Sequence, residues 1–461
     1  MKGRKKVSLF AWICMFVLCI TAAAGCGERE GGAESPKEER KIGKELQEDT
    51  QWNHGVNAIM ETEAGYFVNV AGNTGREPGY QSLRYYDKAS GESILLCNKP
   101  ECAHNGSDSC EATYKNVRPI SNALYGNYIY ELAAESSGTN VSVNLYKAAL
   151  DGSSMDKVGC VVSVENEKAQ EISLTPSGSA SIFNSVNQMP DYGFIIHKGV
   201  AYIPYWLQIG KGLMGLKAGL VKMNLSTGET EEIYKVESLA SGLPCNLAGV
   251  GDYVYFLLSS TNSGGKTRRY VISTKEVESV KMTGKDEKGN VREYEHPFTL
   301  FSEDKIYNVS KAYEEKDKLS VAAYDAKTKE WLEEESFQVK ITEGSNVKAI
   351  FFYEGNLFIG DQEKAWFYDG KGNLLAQVEA PKELIGKELS GIQSDSCYED
   401  YKISGGKLYY LFSDVDEDMV FQTIDEDTYY FTLRRHVFAC SLEDVFQGKA
   451  NWSEVYVSQG R

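Results

Sequence analysis

The 461-residue chain has few histidines, and none of them lies in a catalytic motif. They are His54, His104, His197, His296 and His436. The sequence contains no H-E-x-x-H motif, no G-x-S-x-G motif and no phosphate-binding loop. The glycines of GKGLMGLKAG lack the strand–helix unit that a dinucleotide site requires. These motif-defined enzyme classes are therefore excluded, and no catalytic residue is assigned.

The apolar run near the N-terminus is too short to span a bilayer, which takes roughly 20 residues. This run, VSLFAWICMFVLCI (Val7–Ile20), follows a start rich in lysine and arginine, an order typical of a secretory signal peptide. The next residues, TAAAGCG, place small side chains directly before Cys26. They resemble the lipobox of bacterial lipoproteins, which implies a signal peptide over residues 1–25 and lipidation of Cys26. The alternative is an ordinary secretory signal with an incidental cysteine, and it also implies export.

Basic residues are in deficit, with 49 lysines and arginines against 66 aspartates and glutamates and a net charge of −17. This balance argues against nucleic acid as a partner and against a body that lies flat on anionic lipid. Residues 26–52 are polar, charged and poor in aromatics, so we expect the lipidated cysteine and a disordered tether there. A single folded domain is expected over residues 53–461, held at the outer face of the cell membrane by the lipid anchor.

A short pattern occurs seven times, in which a turn residue precedes alternating aromatic and β-branched residues. The copies begin at residues 65, 126, 199, 251, 303, 355 and 406, and the last four intervals are 51 or 52 residues. Several copies are followed by a second hairpin signal such as YDAKTKEW, with turn chemistry at its tip. Four short strands per unit of this length are typical of a propeller blade. The sequence therefore predicts an all-β, seven-bladed β-propeller of four-stranded antiparallel blades. The alternatives are a propeller of six or eight blades, or two β-sandwiches.

The phrase YDAKTKEW and its relatives resemble the blades of secreted propellers of the TolB and quinoprotein type. Together with the lipobox, they make the chain similar to the propeller lipoproteins of Gram-positive bacteria. That resemblance implies a fold and a location but no activity. We therefore expect a membrane-anchored binding or scaffold module for an envelope glycan, a peptide or a partner protein. The alternative is an anchored carbohydrate-active hydrolase or lyase that uses carboxylates of the central channel.

Four segments depart from the repeat and are predicted to lie as loops on one face of the propeller, where function is commonest. The first contains a cysteine cluster, and the second covers residues 161–192. The third, residues 205–219, is predicted to present an apolar patch to a ligand or partner. The patch residues are Tyr205, Trp206, Ile209 and Met214. Alternatively, these side chains fold back and either plug the mouth of the central channel or pack on the neighbouring 161–192 loop.

The fourth segment, residues 413–430, is strongly acidic and is predicted to be a solvated loop. Asp414, Asp416 and Asp418 have the alternating spacing of calcium ligands. Met419 stands where calcium loops of this kind need a glycine, and no glutamate follows at the expected place. Calcium is therefore not expected here.

The stretch CNKPECAHNGSDSC combines Cys97, Cys102, His104 and Cys110. Because the chain is exported, a structural disulfide is the favoured interpretation, with Cys102–Cys110 first and Cys97–Cys110 next. Three thiolates and an imidazole also form a complete tetrahedral zinc set, although the C-x2-C spacing of zinc knuckles is missing. Free thiols are the third possibility. No cofactor is required by the predicted fold, and zinc at these four residues is the one that the sequence leaves open.

Overall fold

The computed structural model describes most of residues 60–457, from the first propeller strand to the last. The segments outside the described residues are 74–77, 103–109, 111, 115–116, 138–139, 166–168, 172–192, 210–215, 238–240, 260–264, 286–290, 295–299, 302–303, 312–316, 346, 348, 382–399 and 423–428. The predicted signal peptide, Cys26 and the tether also lie outside them. No helix within the described part of the chain has the length and hydropathy needed to cross a bilayer.

Seven antiparallel sheets follow one another along the chain and form the blades of a ring, which confirms the predicted fold class. Blades 1 to 3 consist of β1 Met60–Glu61, β2 Gly65–Asn73, β3 Pro78–Asp87, β4 Ser93–Leu95 and β5 Thr113–Tyr114; β6 Val117–Tyr125, β7 Tyr128–Ser137, β8 Asn140–Ala149 and β9 Met155–Glu165; and β10 Ala169–Glu171, β11 Ile195–His197, β12 Val200–Ile209, β13 Leu216–Asn224 and β14 Thr230–Lys235. In blade 1, β4 and β5 both pair with β3, and in blade 3, β10 and β11 both pair with β12.

The remaining blades have four strands each, and one additional hairpin lies between blades 4 and 5 in the chain. They consist of β15 Leu243–Val250, β16 Tyr253–Ser259, β17 Lys266–Val271 and β18 Glu276–Ser279; the hairpin β19 Met282–Lys285 and β20 Val291–Tyr294; β21 Leu300–Phe301, β22 Lys305–Lys311, β23 Lys318–Asp325 and β24 Phe337–Lys340; β25 Ala349–Tyr353, β26 Asn356–Gly360, β27 Lys364–Tyr368 and β28 Leu374–Glu379; and β29 Asp400–Ser404, β30 Lys407–Gln422, β31 Tyr429–Ser441, the short helix α1 Leu442–Phe446 and β32 Ser453–Val457. Each copy of the sequence pattern coincides with the second strand of a blade.

The core lies between neighbouring blades, and this explains the burial of each strand. The second strand of blade 6, β26, is buried on both faces over Leu357–Gly360, because the adjacent blades cover it on either side. The outer strand β28 alternates between exposed and buried residues instead. Phe358 illustrates the contact, with its ring centroid 5.4 Å from that of Tyr401 in blade 7. The position of a strand within its blade therefore decides which of its residues are buried and apolar.

The turn between the third and fourth strands of a blade contacts the outer strand of the preceding blade. In blade 5, the Asp325 carboxylate accepts hydrogen bonds from the backbone N–H groups of Thr328 (2.6 Å) and Lys327 (2.8 Å). The Thr328 bond is the main cause that lowers the pKa of the Asp325 carboxyl. From the same turn, Lys329 donates to Glu278 of blade 4 at 2.9 Å. The turn signal in the sequence therefore also joins one blade to the next.

Replacement of Gly228 by alanine is expected to destabilise the fold more than the same change at Gly355. Both glycines have positive φ, 72° and 79°, so alanine costs about 1–2 kcal/mol of backbone strain at either site. A Cβ at Gly228 would also lie 2.2 Å from the carbonyl oxygen of Val158 in blade 2, whereas a Cβ at Gly355 meets nothing within 4 Å. Urea denaturation of both variants measures the difference in their free energies of unfolding. Equal losses of unfolding free energy would contradict the contact between blades 2 and 3 at Gly228.

No strand is exchanged between the ends of the described chain to close the ring. Blade 1 is built from β1 to β5, and blade 7 is built entirely from β29 to β32. The seam is closed by side chains instead, with the rings of Tyr66 and Tyr409 packed edge to face at 6.3 Å beside Val437. On the blade 1 side, Lys88 pairs with Glu61 at 2.7 Å. Ring closure therefore depends on these contacts.

Two segments that were predicted to be loops contain strands, and these predictions are wrong. Tyr205, Trp206 and Ile209 belong to β12, and residues 216–219 belong to β13. Residues 413–422 continue β30, and residues 429–430 begin β31. In both segments, pairing with a hairpin partner extends the strands into residues that had been interpreted as loop.

The predicted 161–192 loop is partly strand as well. Residues 161–165 complete β9, and Ala169 pairs with Ile209 in β12 while Glu171 pairs with Gln208. This backbone pairing agrees with the alternative interpretation, in which the segments 161–192 and 205–219 cover one another. The hairpin β19–β20 was not predicted from the sequence at all.

Candidate functional site

Three of the four residues in the predicted cysteine cluster converge in space. The Sγ atoms of Cys97, Cys102 and Cys110 all lie within 4.8 Å of one another. Cys102 and Cys110 are buried, with 7% and 3% of their surface exposed, and Cys97 is half-buried. Sulfurs around a tetrahedral zinc ion stand about 3.8 Å apart, because each Zn–S bond is about 2.3 Å. The cluster is thus close to the spacing that a three-thiolate metal site requires.

The favoured disulfide is not found, since no disulfide bond joins the cysteines that the structure describes. His104, the predicted fourth member of the cluster, lies outside the described residues. A metal ion remains chemically compatible with the three sulfurs that the fold brings together.

The cluster lies at a break in the outermost strand of blade 1. Beside β3, the outer position is occupied by β4 along residues 84–86 and by β5 along residues 81–82. The two halves meet at Leu83, whose N–H donates to the Ala112 carbonyl (3.0 Å) and whose carbonyl accepts from the Leu96 N–H (2.9 Å). Cys97 therefore directly follows Leu96 on one side of the break, and Cys110 lies two residues before Ala112 on the other side.

The same break adjoins blade 2. The backbone N–H of Asn98 donates to the carbonyl of Gly152 at 3.2 Å. Gly152 has φ of 73°, and a Cβ there would lie 2.8 Å from the Leu96 carbonyl carbon. Cys102 and Cys110 also belong to an apolar cluster that includes Ile129 and other blade 2 residues. The cysteines thus stand where two blades and the interrupted strand meet.

A second candidate is the face on which the second and third strands of each blade are joined, called the hairpin face below. In an antiparallel blade, these hairpins and the connections between blades lie at the same end. The hairpin strands have 9 and 10 residues in blade 1, 10 and 10 in blade 2, 10 and 9 in blade 3, and 16 and 13 in blade 7. Those of blade 6 have only 5 each. The long hairpins come from four consecutive blades of the ring.

The longest hairpin extends blade 7 well beyond its other strands. Its first strand pairs with β29 only up to Leu411, and its second pairs with β32 only from His436 onward. Between these points, Ser413 pairs with Arg435 and Asp414 with Arg434 as a two-stranded ribbon. Within the described residues no further strand lies beside this ribbon.

The described site residues of segments 205–219 and 413–430 lie on strands rather than in the loops that the sequence predicted. Tyr205 is 2% exposed, and its hydroxyl donates to Glu232 within blade 3; burial is the main cause of its raised pKa. Trp206 and Ile209 lie on the same strand, and Met214 lies outside the described residues. Asp414, Asp416 and Asp418 lie on β30 rather than in a loop. The hairpin extension was missed because its alternation is acidic rather than apolar.

Two of the histidines lie on strands and make polar contacts there. His197 is 3% exposed, and its Nε2 lies 2.9 Å from the carbonyl oxygen of Gly251. His436 Nδ1 lies 2.6 Å from the Glu454 carboxylate in the neighbouring strand. These contacts place both rings in structural roles between or within blades.

No protein-family model and no curated protein matches this sequence. Solved structures with a similar fold include TolB from Acinetobacter baumannii, at 12% identity and a TM-score of 0.30, over 88% of this chain and 79% of that one. They also include the β-propeller domain of the Trilobed protease from Pyrococcus furiosus (10% identity, TM-score 0.38, 87% and 96%) and a puromycin-hydrolyzing peptidase of Mycobacterium tuberculosis (9% identity, TM-score 0.37, 78% and 50%). These similarities concern the fold and assign no activity.

Proposed function

We propose that the protein is a lipid-anchored propeller on the outer face of the cell membrane whose hairpin face binds an envelope glycan, a peptide or a partner protein. The observation that supports this most is the row of long hairpins from blades 7, 1, 2 and 3 on one face. Propellers without a catalytic motif commonly serve as binding platforms, and their variable loops carry the specificity. The signal sequence and Cys26 support the location.

The blade 7 ribbon is the part of this face that a ligand would reach most easily. It carries Asp414, Asp416 and Asp418 on one strand and Arg434 and Arg435 on the other, with Asp414 directly paired with Arg434. Charged residues on a two-stranded ribbon suit an extended peptide or a strand of a partner protein, which adds main-chain hydrogen bonds along a strand edge. The net charge of −17 also disfavours nucleic acid.

Removal of the ribbon is expected to abolish binding without unfolding the propeller. The variant deletes residues 413–435 and joins Phe412 to His436 through Asn-Gly, because these two residues are already paired and Asn-Gly closes a two-residue hairpin. Binding is measured by co-sedimentation with isolated cell-wall sacculi and by photo-crosslinking on intact cells from position 418. We expect at least a tenfold loss of co-sedimentation on deletion, since the variant lacks the main contact surface.

Position 90 is the matched control for the crosslinking experiment, because Ser90 lies in a turn at the opposite end of blade 1. Crosslinks from position 418 should exceed those from position 90 at least tenfold. Equal yields from both faces, or unchanged co-sedimentation of a folded deletion variant, would contradict the assignment of the hairpin face. Release of sugar fragments from sacculi would instead favour the hydrolase or lyase alternative.

We also propose that Cys97, Cys102 and Cys110 bind one metal ion, and that zinc is the metal, with His104 as the fourth ligand predicted from the sequence. The convergence of three sulfurs supports a thiolate site, and soft thiolate ligands select zinc over calcium or magnesium. Burial of two of the cysteines supports a structural ion rather than a catalytic one.

A further inference from the structure

We propose that the metal ion at Cys97, Cys102 and Cys110 completes the outer strand of blade 1 and thereby orders the blade 1 hairpin of the hairpin face. This inference rests on the proposed metal site. It assigns that site a role that zinc-binding residues alone do not imply, namely the control of a strand pairing at the proposed binding face.

The backbone pairing around β3 supports this role. The third strand of a blade needs a neighbour along its outer edge, because its N–H and C=O groups on that side are otherwise unpaired. In blade 1, β4 covers only Arg84–Tyr86 of β3, and β5 covers Gln81 and Ser82, nearer to the hairpin. The hairpin half of β3 is therefore held by β5, a strand of only two residues.

Such a short strand gains little from its own pairing, so something else must hold it in place. β5 begins three residues after Cys110, and Ala112 between them is fully buried with its carbonyl bonded to Leu83. An ion bound to both Cys97 and Cys110 ties together the two ends of the segment between β4 and β5. The conformational entropy of that segment is then already lost when β5 pairs with β3.

The same ion fixes the other half-strand. Cys97 directly follows Leu96, which donates to the Leu83 carbonyl, and Asn98 donates to Gly152 of blade 2. Cys102 adds a third point of attachment within the segment between β4 and β5. Its N–H donates to the Lys99 carbonyl at 3.1 Å. One ion would thus align β4, β5 and the edge of blade 2 along β3.

Hydrogen–deuterium exchange of the mature chain, loaded with one equivalent of Zn²⁺ and then treated with a strong zinc chelator, tests this inference. Metal content is measured in parallel by native mass spectrometry. We expect one zinc per chain, and at least tenfold faster exchange after chelation in peptides that cover residues 78–87 and 112–114. A peptide that covers β27 and β28 in blade 6 should exchange at an unchanged rate.

Cys102→Ser and Cys160→Ser form the matched pair of variants. Cys160 lies exposed on the outer strand of blade 2, so its substitution makes the same chemical change outside the cluster. Cys102→Ser should lose zinc and show the exchange of the chelated protein, whereas Cys160→Ser should behave as wild type. The chelation experiment on the wild-type chain stands by itself if Cys102→Ser fails to fold.

Two results would overturn the inference in distinguishable ways. If zinc binds and is removed without any change of exchange in residues 78–87, the metal site stands but does not complete the strand. If no zinc binds and the denatured mass is lower by two hydrogens, the cluster forms a disulfide, and both the metal site and this inference fail.

Discussion

Phe358→Ala is expected to lower the free energy of unfolding by about 3–5 kcal/mol, the usual cost of removing a buried aromatic ring. Phe358 is fully buried in the second strand of blade 6. Its ring centroid lies 4.6 Å from Phe351, 5.0 Å from Phe367 and 5.4 Å from Tyr401. The substitution leaves a cavity between blades 6 and 7 that close-packed sheets cannot fill by collapse.

Guanidinium denaturation followed by circular dichroism measures this effect. Leu374→Ala is the matched control within the same blade, because Leu374 is 53% exposed on the outer strand and its loss should cost less than about 0.5 kcal/mol. Comparable losses for the two variants would mean that blades 6 and 7 are not packed through Phe358.

Tyr409→Ala is the second substitution with a large expected effect, because it acts at the seam that closes the ring. Tyr409 is 3% exposed and packs against Tyr66 of blade 1. Burial, followed by the nearby Glu61 carboxyl, raises the pKa of the Tyr409 hydroxyl, which therefore stays neutral at physiological pH. Removal of the ring should cost about 3–5 kcal/mol. No strand bridges blades 1 and 7 in the described chain, so the loss of this side-chain contact directly weakens the closure of the ring.

Two measurements separate closure from general destabilisation. Hydrogen exchange should increase in β2 and β30, beside the seam, well before it increases in blade 4. Tyr409→Phe keeps the ring and should cost less than about 1.5 kcal/mol, and Tyr128→Ala, at a tyrosine that is 37% exposed, should cost still less. Uniform exchange across all blades in Tyr409→Ala would contradict a local role at the seam.

Much of the fold could be predicted because a propeller repeats its local chemistry. The pattern copies that begin at residues 65, 126, 199, 251, 303, 355 and 406 coincide with the second strands of the seven blades, and in blade 6 that strand is buried on both faces over Leu357–Gly360. Burial on both faces demands large apolar and aromatic side chains, which leave a pattern in the sequence. The Asp and Asn turns, such as the one at Asp325, are visible for the same reason, since their side chains bond to the neighbouring backbone.

The candidate sites could be predicted only in part. The residues 413–422 have acidic rather than apolar alternation and were therefore interpreted as a loop, but their pairing with β31 makes them a strand. Tyr205 was interpreted as part of a surface patch, but neighbouring strands bury it. Strand length and burial at these positions depend on partners that are distant in the sequence, and a local pattern does not contain that information.

The sequence by itself determined the repeat and the residues that could bind a metal, because both depend on residue type and spacing, and it favoured seven blades, a count that the structure confirms. Only the tertiary structure decided that Cys97, Cys102 and Cys110 converge, since their distances are set by the break in the outer strand at Leu83. It likewise decided that the long hairpins share one face of four consecutive blades. Proximity in space follows from strand pairing and ring closure, which are properties of the whole chain rather than of any segment.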